Sequence, residues 1–323
     1  MPAHGIMFHH FHDGQRHPAG EGSLSAEQLA GLIELLGRER ILPAREWVER
    51  ATRRALRESD LCLTFDDTLR CQWNVAAPVL REFGLTAAWF ITTGALRGQG
   101  PRLEIDRRFR LTRFGSVEDF YAAFFRLLGD GPEAEAVQRA LEGFDPASYL
   151  AGFPFYSEAD RRFRFVRDEA LGPRRYARLM DALIRATGDD PAELARGAWL
   201  TSEQVVALHA EGHVLGLHTH THPTRVAQLP AAEQLREYRD NLMALWQWTG
   251  ERPRVMAHPC NSYSAATLDL LRGLGVRIGF RSNLALREHS ELEFPREDYA
   301  NLLRETRRCA SRSSQATSLA TSR

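Results

Sequence analysis

The sequence lacks a long uninterrupted apolar run, an excess of either charge and more than a handful of cysteines, and each lack removes a class of function. Its 323 residues carry 42 basic and 42 acidic side chains. With the formal charge at zero, nothing points to nucleic acid or another polyanion as a partner. No stretch is apolar for long enough to predict a span across a bilayer. The start, Met1-Pro-Ala-His-Gly-Ile-Met-Phe-His-His-Phe-His-Asp13, has neither the basic leader nor the apolar core of a signal peptide, so a cytoplasmic location is expected. Four cysteines, at positions 62, 71, 260 and 309, match no zinc-ribbon spacing and read as thiols in a reducing compartment. No pattern specifies an oligomeric state. What remains is 43% hydrophobic, enough to bury a large core as one barrel-like domain or one domain with an insertion.

Chemistry concentrates at Leu61-Cys-Leu-Thr-Phe-Asp-Asp67, an apolar run that ends in two adjacent carboxylates. It reads as a buried strand opening into a loop. Neighbouring carboxylates at a buried strand end repel each other and lose hydration, which a cation or a proton resolves. The plainer alternative is that Asp66 or Asp67 caps the following helix. Val214-Leu-Gly-Leu-His-Thr-His-Thr-His222 repeats the design with three histidines. In an extended segment His218, His220 and His222 share a face; in a helical turn His218 and His222 meet as an i,i+4 pair. Either geometry presents two imidazoles to one ion, and zinc or another divalent metal accepts imidazole nitrogen with carboxylate oxygen. His209 and His213, each alone, read as structural.

These residues carry a resemblance. Thr64-Phe-Asp-Asp67 together with His218-Thr-His-Thr-His222 is similar to the first two motifs of the polysaccharide deacetylase family, the NodB-homology group of carbohydrate esterase family 4. A third match is Met256-Ala-His-Pro-Cys-Asn-Ser-Tyr-Ser264, followed by a helix and Val276-Arg-Ile-Gly-Phe280. The resemblance covers residues 60 to 98 and 198 to 300, with a weaker match at Gly5-Ile-Met-Phe-His9. It implies a distorted (β/α)7-type barrel, a NodB-like α/β fold, spanning 1–304 with a helical insertion at about 101–197. The last residues, 305–323, lack periodicity and read as disordered.

Along the chain, Ser25-Ala-Glu-Gln28 opens an amphipathic helix with Leu29, Leu32, Leu35 and Leu36 at helical spacing. Cys71 to Phe83 reads as a helix and Thr86 to Thr93 as the next strand. The insertion predicts helices at 116–129, 133–143, 157–168 and 173–187, with Phe120, Tyr121, Phe124, Phe125, Phe153, Phe155, Tyr156, Phe163 and Phe165 mainly as core. Asp160-Arg-Arg-Phe-Arg-Phe-Val-Arg-Asp168 reads either as a solvated, charge-paired face or as recognition of a phosphate or carboxylate. Thr201-Ser-Glu-Gln204 opens the helix before the histidines, Pro230 to Trp248 is a long helix, and Arg254–His258, Arg277–Arg281 and Leu292–Asp298 close the barrel.

The resemblance assigns roles by position. Asp67, His218 and His222 match the metal triad, most naturally for Zn2+, with Co2+, Mn2+ or Ni2+ as alternatives. Asp66 matches the catalytic base, and the backbone N–H of Cys260 an oxyanion donor. Three positions depart from the family. Thr68 stands where glycine follows the acidic pair. Ala257 and Cys260 replace an Arg and an aromatic residue, so Arg296 in Pro295-Arg-Glu-Asp298 is the candidate to orient the base. No Leu-x-x-His occurs near the C-terminus, which leaves His258 and His289 as later histidines, His258 being preferred as the acid. His9, His10 and His12 either line the site or form a polar strand end. The expected activity is metal-dependent N-deacetylation of an N-acetylated carbohydrate with release of acetate. The alternatives are an allantoinase-like hydrolase of another amide and a metal-retaining, sugar-binding pseudoenzyme.

Overall fold

A computed structural model describes residues 2–20, 22–129, 131–151, 156–285 and 290–302. The expected disorder of 305–323, together with Phe153, Phe155, His289 and Cys309, lies outside the described residues. The chain divides into two compact units, one of Met1–Pro101 with Trp199–Arg323 and one of Arg102–Ala198.

In the first unit the strands are β1 (His4–Phe8), β2 (His10–Phe11), β3 (Ser23–Leu24), β4 (Leu61–Phe65), β5 (Ala88–Ile91), β6 (Val214–Leu217), β7 (Val255–Ala257), β8 (Ile278–Phe280) and β9 (Arg296–Asp298). Seven of them form one parallel sheet in the order β8-β7-β6-β5-β4-β1-β9, while β2 and β3 pair separately. Its ends nearly meet: Phe280 bridges Phe294, Phe294 N donates to Gly279 O at 2.8 Å, and Arg281 N donates to Phe294 O at 3.0 Å. The approach is so close that a Cβ on Gly279 would lie 2.4 Å from Leu292 O, so glycine is required there. The result is a nearly closed seven-stranded parallel barrel, as the family resemblance implies. Strands β1, β4 and β5 are buried at every residue, which is why they read as continuous apolar runs.

Helices α1 (Ala26–Leu36), α2 (Ala44–Thr52) and α3 (Ala77–Glu82) precede the second unit. Helix α1 begins with a capping box between Ser25 and Gln28 and buries Leu29, Leu32, Ile33 and Leu36. The helix expected from Cys71 is not uniform: Gln72–Ala76 forms a wide π turn before α3. Pro78 has no N–H to continue an α ladder, and Gln72 Nε2 donates instead to His9 O and Asp66 O at 2.9 and 2.6 Å. The π turn thereby ties the ends of β1 and β4 together.

The second unit consists of α4 (Arg102–Arg113), α5 (Val117–Gly129), α6 (Ala134–Glu142), α7 (Glu158–Phe165), α8 (Gly172–Ala186) and α9 (Pro191–Ala195). Its core gathers Phe109, Phe120, Phe124, Phe163, Tyr176, Met180 and Ile184. Burying each large side chain contributes about 2 kcal/mol. Helix α7 passes into a π turn, Val166–Leu171, so the helix expected over 157–168 changes pitch at its end. Helix α4 has no counterpart in the sequence reading, because only Asp106 and Phe109 are buried along it and an apolar stripe is missing. The first unit then resumes with α10 (Ser202–Ala210), α11 (Ala231–Thr249) and α12 (Ala265–Gly273).

Candidate metal and acid-base centre

Parallel strands bring their C-terminal ends to one edge of the sheet, so the residues that follow β1, β4, β5, β6 and β7 converge there. Asp66 and Asp67 leave β4 and His218 leaves β6. Asp67 Oδ1 lies 3.3 Å from His218 Nε2 and 3.2 Å from His222 Nε2. One ligand atom from each of these three residues lies within 4.8 Å of the others. Asp67 Oδ1 is buried and has no hydrogen-bond partner. An acceptor oxygen facing two imidazole nitrogens without a proton bridge is the environment a divalent cation satisfies, so the residues fit such an ion.

The histidines are held for that task. His218 Nδ1 donates to Ala257 O at 2.9 Å, which leaves Nε2 with its lone pair toward Asp67. Asn241 of α11 accepts from His218 N at 2.9 Å and donates to Ile91 O and Thr93 Oγ1 at 2.8 and 3.0 Å. Glu237, one helical turn earlier, accepts from the backbones of His220 and Thr221 at 3.0 and 2.8 Å. His220 itself is hydrogen-bonded with Thr93 at 2.9 Å, outside the Asp67 cluster. The sequence reading missed Asn241 and Glu237. The available signal was an Asn in register with Tyr238, Leu242 and Leu245 on the buried face of α11.

Asp66 is 2% exposed, and Arg296 grips it with two bonds, Nη1 to Oδ1 at 2.7 Å and Nη2 to Oδ2 at 2.8 Å. The guanidinium also donates to Arg281 O and Thr64 Oγ1 and lies 5.5 Å from the Phe90 ring centroid. Gly5 makes room for it, since a Cβ there would meet Arg296 Cγ at 2.9 Å. Burial works to raise both carboxyls. The charge of Arg296, with His218 and His9, holds Asp66 below the ordinary value instead, and His222 with the neighbouring imidazoles holds Asp67 well below it. Burial likewise works to lower His222, but Asp67 outweighs it and the imidazole is raised.

The turn departs from ordinary backbone. Asp67 and Thr68 have φ of 73° and 63°, the left-handed region that explains a glycine at position 68 elsewhere. Thr68 is held there by its own bonds: its hydroxyl accepts from Thr92 N at 2.7 Å and its carbonyl from Leu200 N at 2.9 Å.

The remaining candidates divide. His9 Nε2 lies 3.8 Å from Asp66 Oδ2 and 4.0 Å from Asp67 Oδ2, with its side chain 28% exposed. His12 is turned to Ser23 Oγ at 2.8 Å. His258 is 1% exposed, donates from Nε2 to Leu292 O at 2.9 Å, and stacks 4.1 Å from Tyr263. Burial pushes its imidazole down to about 4, so it is neutral at pH 7 and its only N–H is engaged. That placement speaks against His258 as a proton donor. Cys260 is exposed in the turn after β7, at φ 49° and ψ 25°.

A family profile described as polysaccharide deacetylase matches residues 183–279, less than a third of the chain, and leaves Asp66 and Asp67 outside the match. No curated protein sequence matches. Among solved structures, the Streptococcus pyogenes deacetylase PplD, in complex with acetate, is 16% identical with a TM-score of 0.54, covering 94% of this chain and 96% of that one. A de-N-acetylase from Aggregatibacter actinomycetemcomitans is 13% identical with a TM-score of 0.53, covering 91% and 93%. IcaB from Ammonifex degensii is 14% identical with a TM-score of 0.52, covering 92% and 94%. At these identities the structures establish the fold, and no helix among the described residues is long and apolar enough to cross a membrane. Over residues 183–279 the chain is thus similar in sequence to the polysaccharide deacetylases, and over most of its length it shares the fold of the solved deacetylases.

Proposed function

We propose that the chain is a metal-dependent N-deacetylase that hydrolyses the acetamide of an N-acetylated sugar and releases acetate. The observation that carries this reading is the pairing of two adjacent aspartates in different settings: Asp67 faces two imidazoles, and Asp66 faces an arginine fork. Asp67, His218 and His222 would hold a divalent cation, Zn2+ first among candidates, which supplies Lewis acidity toward the acetamide carbonyl and the attacking water.

The chain's own groups do the rest. Asp66, ionised because Arg296 outweighs its burial, accepts the proton of water as its oxygen bonds to the acetamide carbon. Arg296 fixes the carboxylate's orientation through both oxygens, which supports it as the positioning residue. The N–H of Cys260, on the turn after β7, is the donor this reading assigns to the developing oxyanion. As the C–N bond breaks, the amine takes up a proton. His9 is assigned that delivery in preference to His258, because it borders both aspartates and is partly open to solvent. The cytoplasm is the compartment this reading assigns, where a buried thiol such as Cys62 stays unlinked; recovery of the chain from the cell envelope would overturn that assignment.

The test is acetate release from free, oligomeric and nucleotide-linked N-acetylhexosamines, with chelation and metal restoration. Release is expected from one class, lost on chelation and regained with Zn2+. Asp66→Asn is expected to lower turnover about 10³-fold while metal content is retained. Stoichiometric metal with no acetate from any class would sink the deacetylase reading in favour of a non-sugar amide.

A further inference from the structure

Within the helical unit, a cavity of about 200 Å³ opens between α4, α5, α7, the π turn after it and α8. Every basic residue of this chain except histidine is arginine, so arginine abundance by itself marks nothing. What marks this cavity is that four half-buried guanidinium groups, Arg107, Arg110, Arg164 and Arg167, line it with a single carboxylate, Asp106.

Arg107 is itself engaged, and the other facing charges can be accounted for one by one. Arg167 is held by both oxygens of Asp168 at 2.7 Å. Asp160 accepts from Tyr121 Oη at 2.5 Å and from Ser157. Asp106 receives Arg102 Nε at 2.6 Å on Oδ1. Among the described residues, neither Arg110 nor Arg164 forms an ion pair. Arg164 is nevertheless fixed in place, its guanidinium 4.0 Å from the Tyr156 ring centroid.

Two buried polar atoms then stand without a hydrogen bond. Arg164 Nε is a donor with no acceptor, and Asp106 Oδ2, on a residue 4% exposed, has the Tyr176 hydroxyl beside its carboxylate but no aligned hydrogen bond. Such atoms cost about 1–3 kcal/mol each when left unsatisfied, and a native fold retains them where something else completes them. The complement is a molecule that brings an oxyanion to the arginines and a hydroxyl to the aspartate. Phe120 and Phe163 on the same wall suit the apolar face of a ring.

We propose that this cavity binds an acidic carbohydrate unit, its carboxylate or phosphate against Arg110 and Arg164 and one of its hydroxyls donating to Asp106 Oδ2. The site stands independently of the deacetylase reading, because binding is read without turnover.

The test is titration calorimetry on the full chain at matched ionic strength, with glucuronate, glucose 6-phosphate, inorganic phosphate and neutral glucose. At least one acidic sugar is expected to bind while glucose does not, and which one binds separates the carboxylate from the phosphate. Arg110→Gln and Arg164→Gln should each weaken that binding about tenfold or more. Asp106→Asn should weaken the acidic sugar and leave inorganic phosphate unchanged. Because Arg164→Gln could disturb folding, Arg164→Lys, which keeps the charge and removes the Nε donor, and ligand-induced thermal stabilisation of the unaltered chain provide further readings. Acidic sugars binding no better than glucose, or binding equally to both arginine variants, would overturn the proposal. Inorganic phosphate binding as tightly as both acidic sugars would overturn its carbohydrate part.

Discussion

Asp66 in the barrel and Asp106 in the helical unit are nearly equally buried, at 2% and 4% exposure, and both face an arginine, yet they respond in opposite directions. Asp66 is held below its ordinary value, whereas burial lifts Asp106 to about 6 against the pull of Arg102. Burial disfavours the charged form of each. The difference lies in how the charge is answered. Arg296 meets both oxygens of Asp66 with a planar fork and two imidazoles stand nearby, while Arg102 meets one oxygen of Asp106 and is shared with Asp181. One carboxylate is ready to act as a base; the other is incompletely answered.

Breaking the fork should have the largest effect. Arg296→Gln leaves Asp66 ionisable and buried without its counter-charge, and is expected to cost about 3–5 kcal/mol of barrel stability, read as a lower urea midpoint. Adding Asp66→Asn to it should recover a good part of that loss. Equal loss in the single and double variants would mean that Arg296 acts through packing rather than charge.

A smaller effect is expected in the helical unit. Asp106 binds its proton more readily folded, at about 6, than unfolded, near the ordinary carboxylate value. Between those values the folded state holds more protons, so the stability of this unit falls as pH rises from about 4 to 6, by on the order of 2 kcal/mol. Native-state hydrogen exchange at the amides of α4 reads this directly, and Asp106→Asn should flatten the slope. An unchanged slope in the variant would remove Asp106 as its source.

The barrel should slope the other way, through His213. Its Nδ1 accepts from Ala87 N–H at 2.9 Å, and burial pushes the imidazole down to about 4. The unfolded chain therefore takes up the proton first as pH falls below about 6.5, and the stability present at neutral pH is lost toward pH 4, by on the order of 2–3 kcal/mol. Amides of β5 and β6 should report it, with His213→Gln, which keeps an acceptor and does not titrate, showing a shallower decline. Parallel pH slopes in the two units would break the comparison.

The elements that local pattern specifies were legible. Buried strands of a parallel sheet are apolar at every position, so β4 and β6 announce themselves, and a polar cluster at a strand end stands out against that background. Capping boxes at Ser25 and Thr201 locate their helices within a few residues. Helix α4 was not legible, because its buried face is reduced to Phe109 and an aspartate. The π turn at Gln72–Ala76 was not legible either, since what holds it is the carbonyls of His9 and Asp66, set by two other strands.

By itself, then, the sequence determined the parallel strands, the strand ends at which Asp66, Asp67 and His218 stand, and the family resemblance they carry, through which it implied the barrel, because these depend on apolar periodicity and on residues adjacent in the chain. The sequence nominated Arg296 to orient the base, but only the tertiary structure decided that it grips both oxygens of Asp66, that Asn241 and Glu237 hold the histidine loop, that His9 and not His258 borders the aspartates, and that Arg110 and Arg164 line one cavity with Asp106. Those relations join residues that sheet register or helix packing brings within bonding distance, some more than two hundred positions apart, and no local pattern records a distance across the fold.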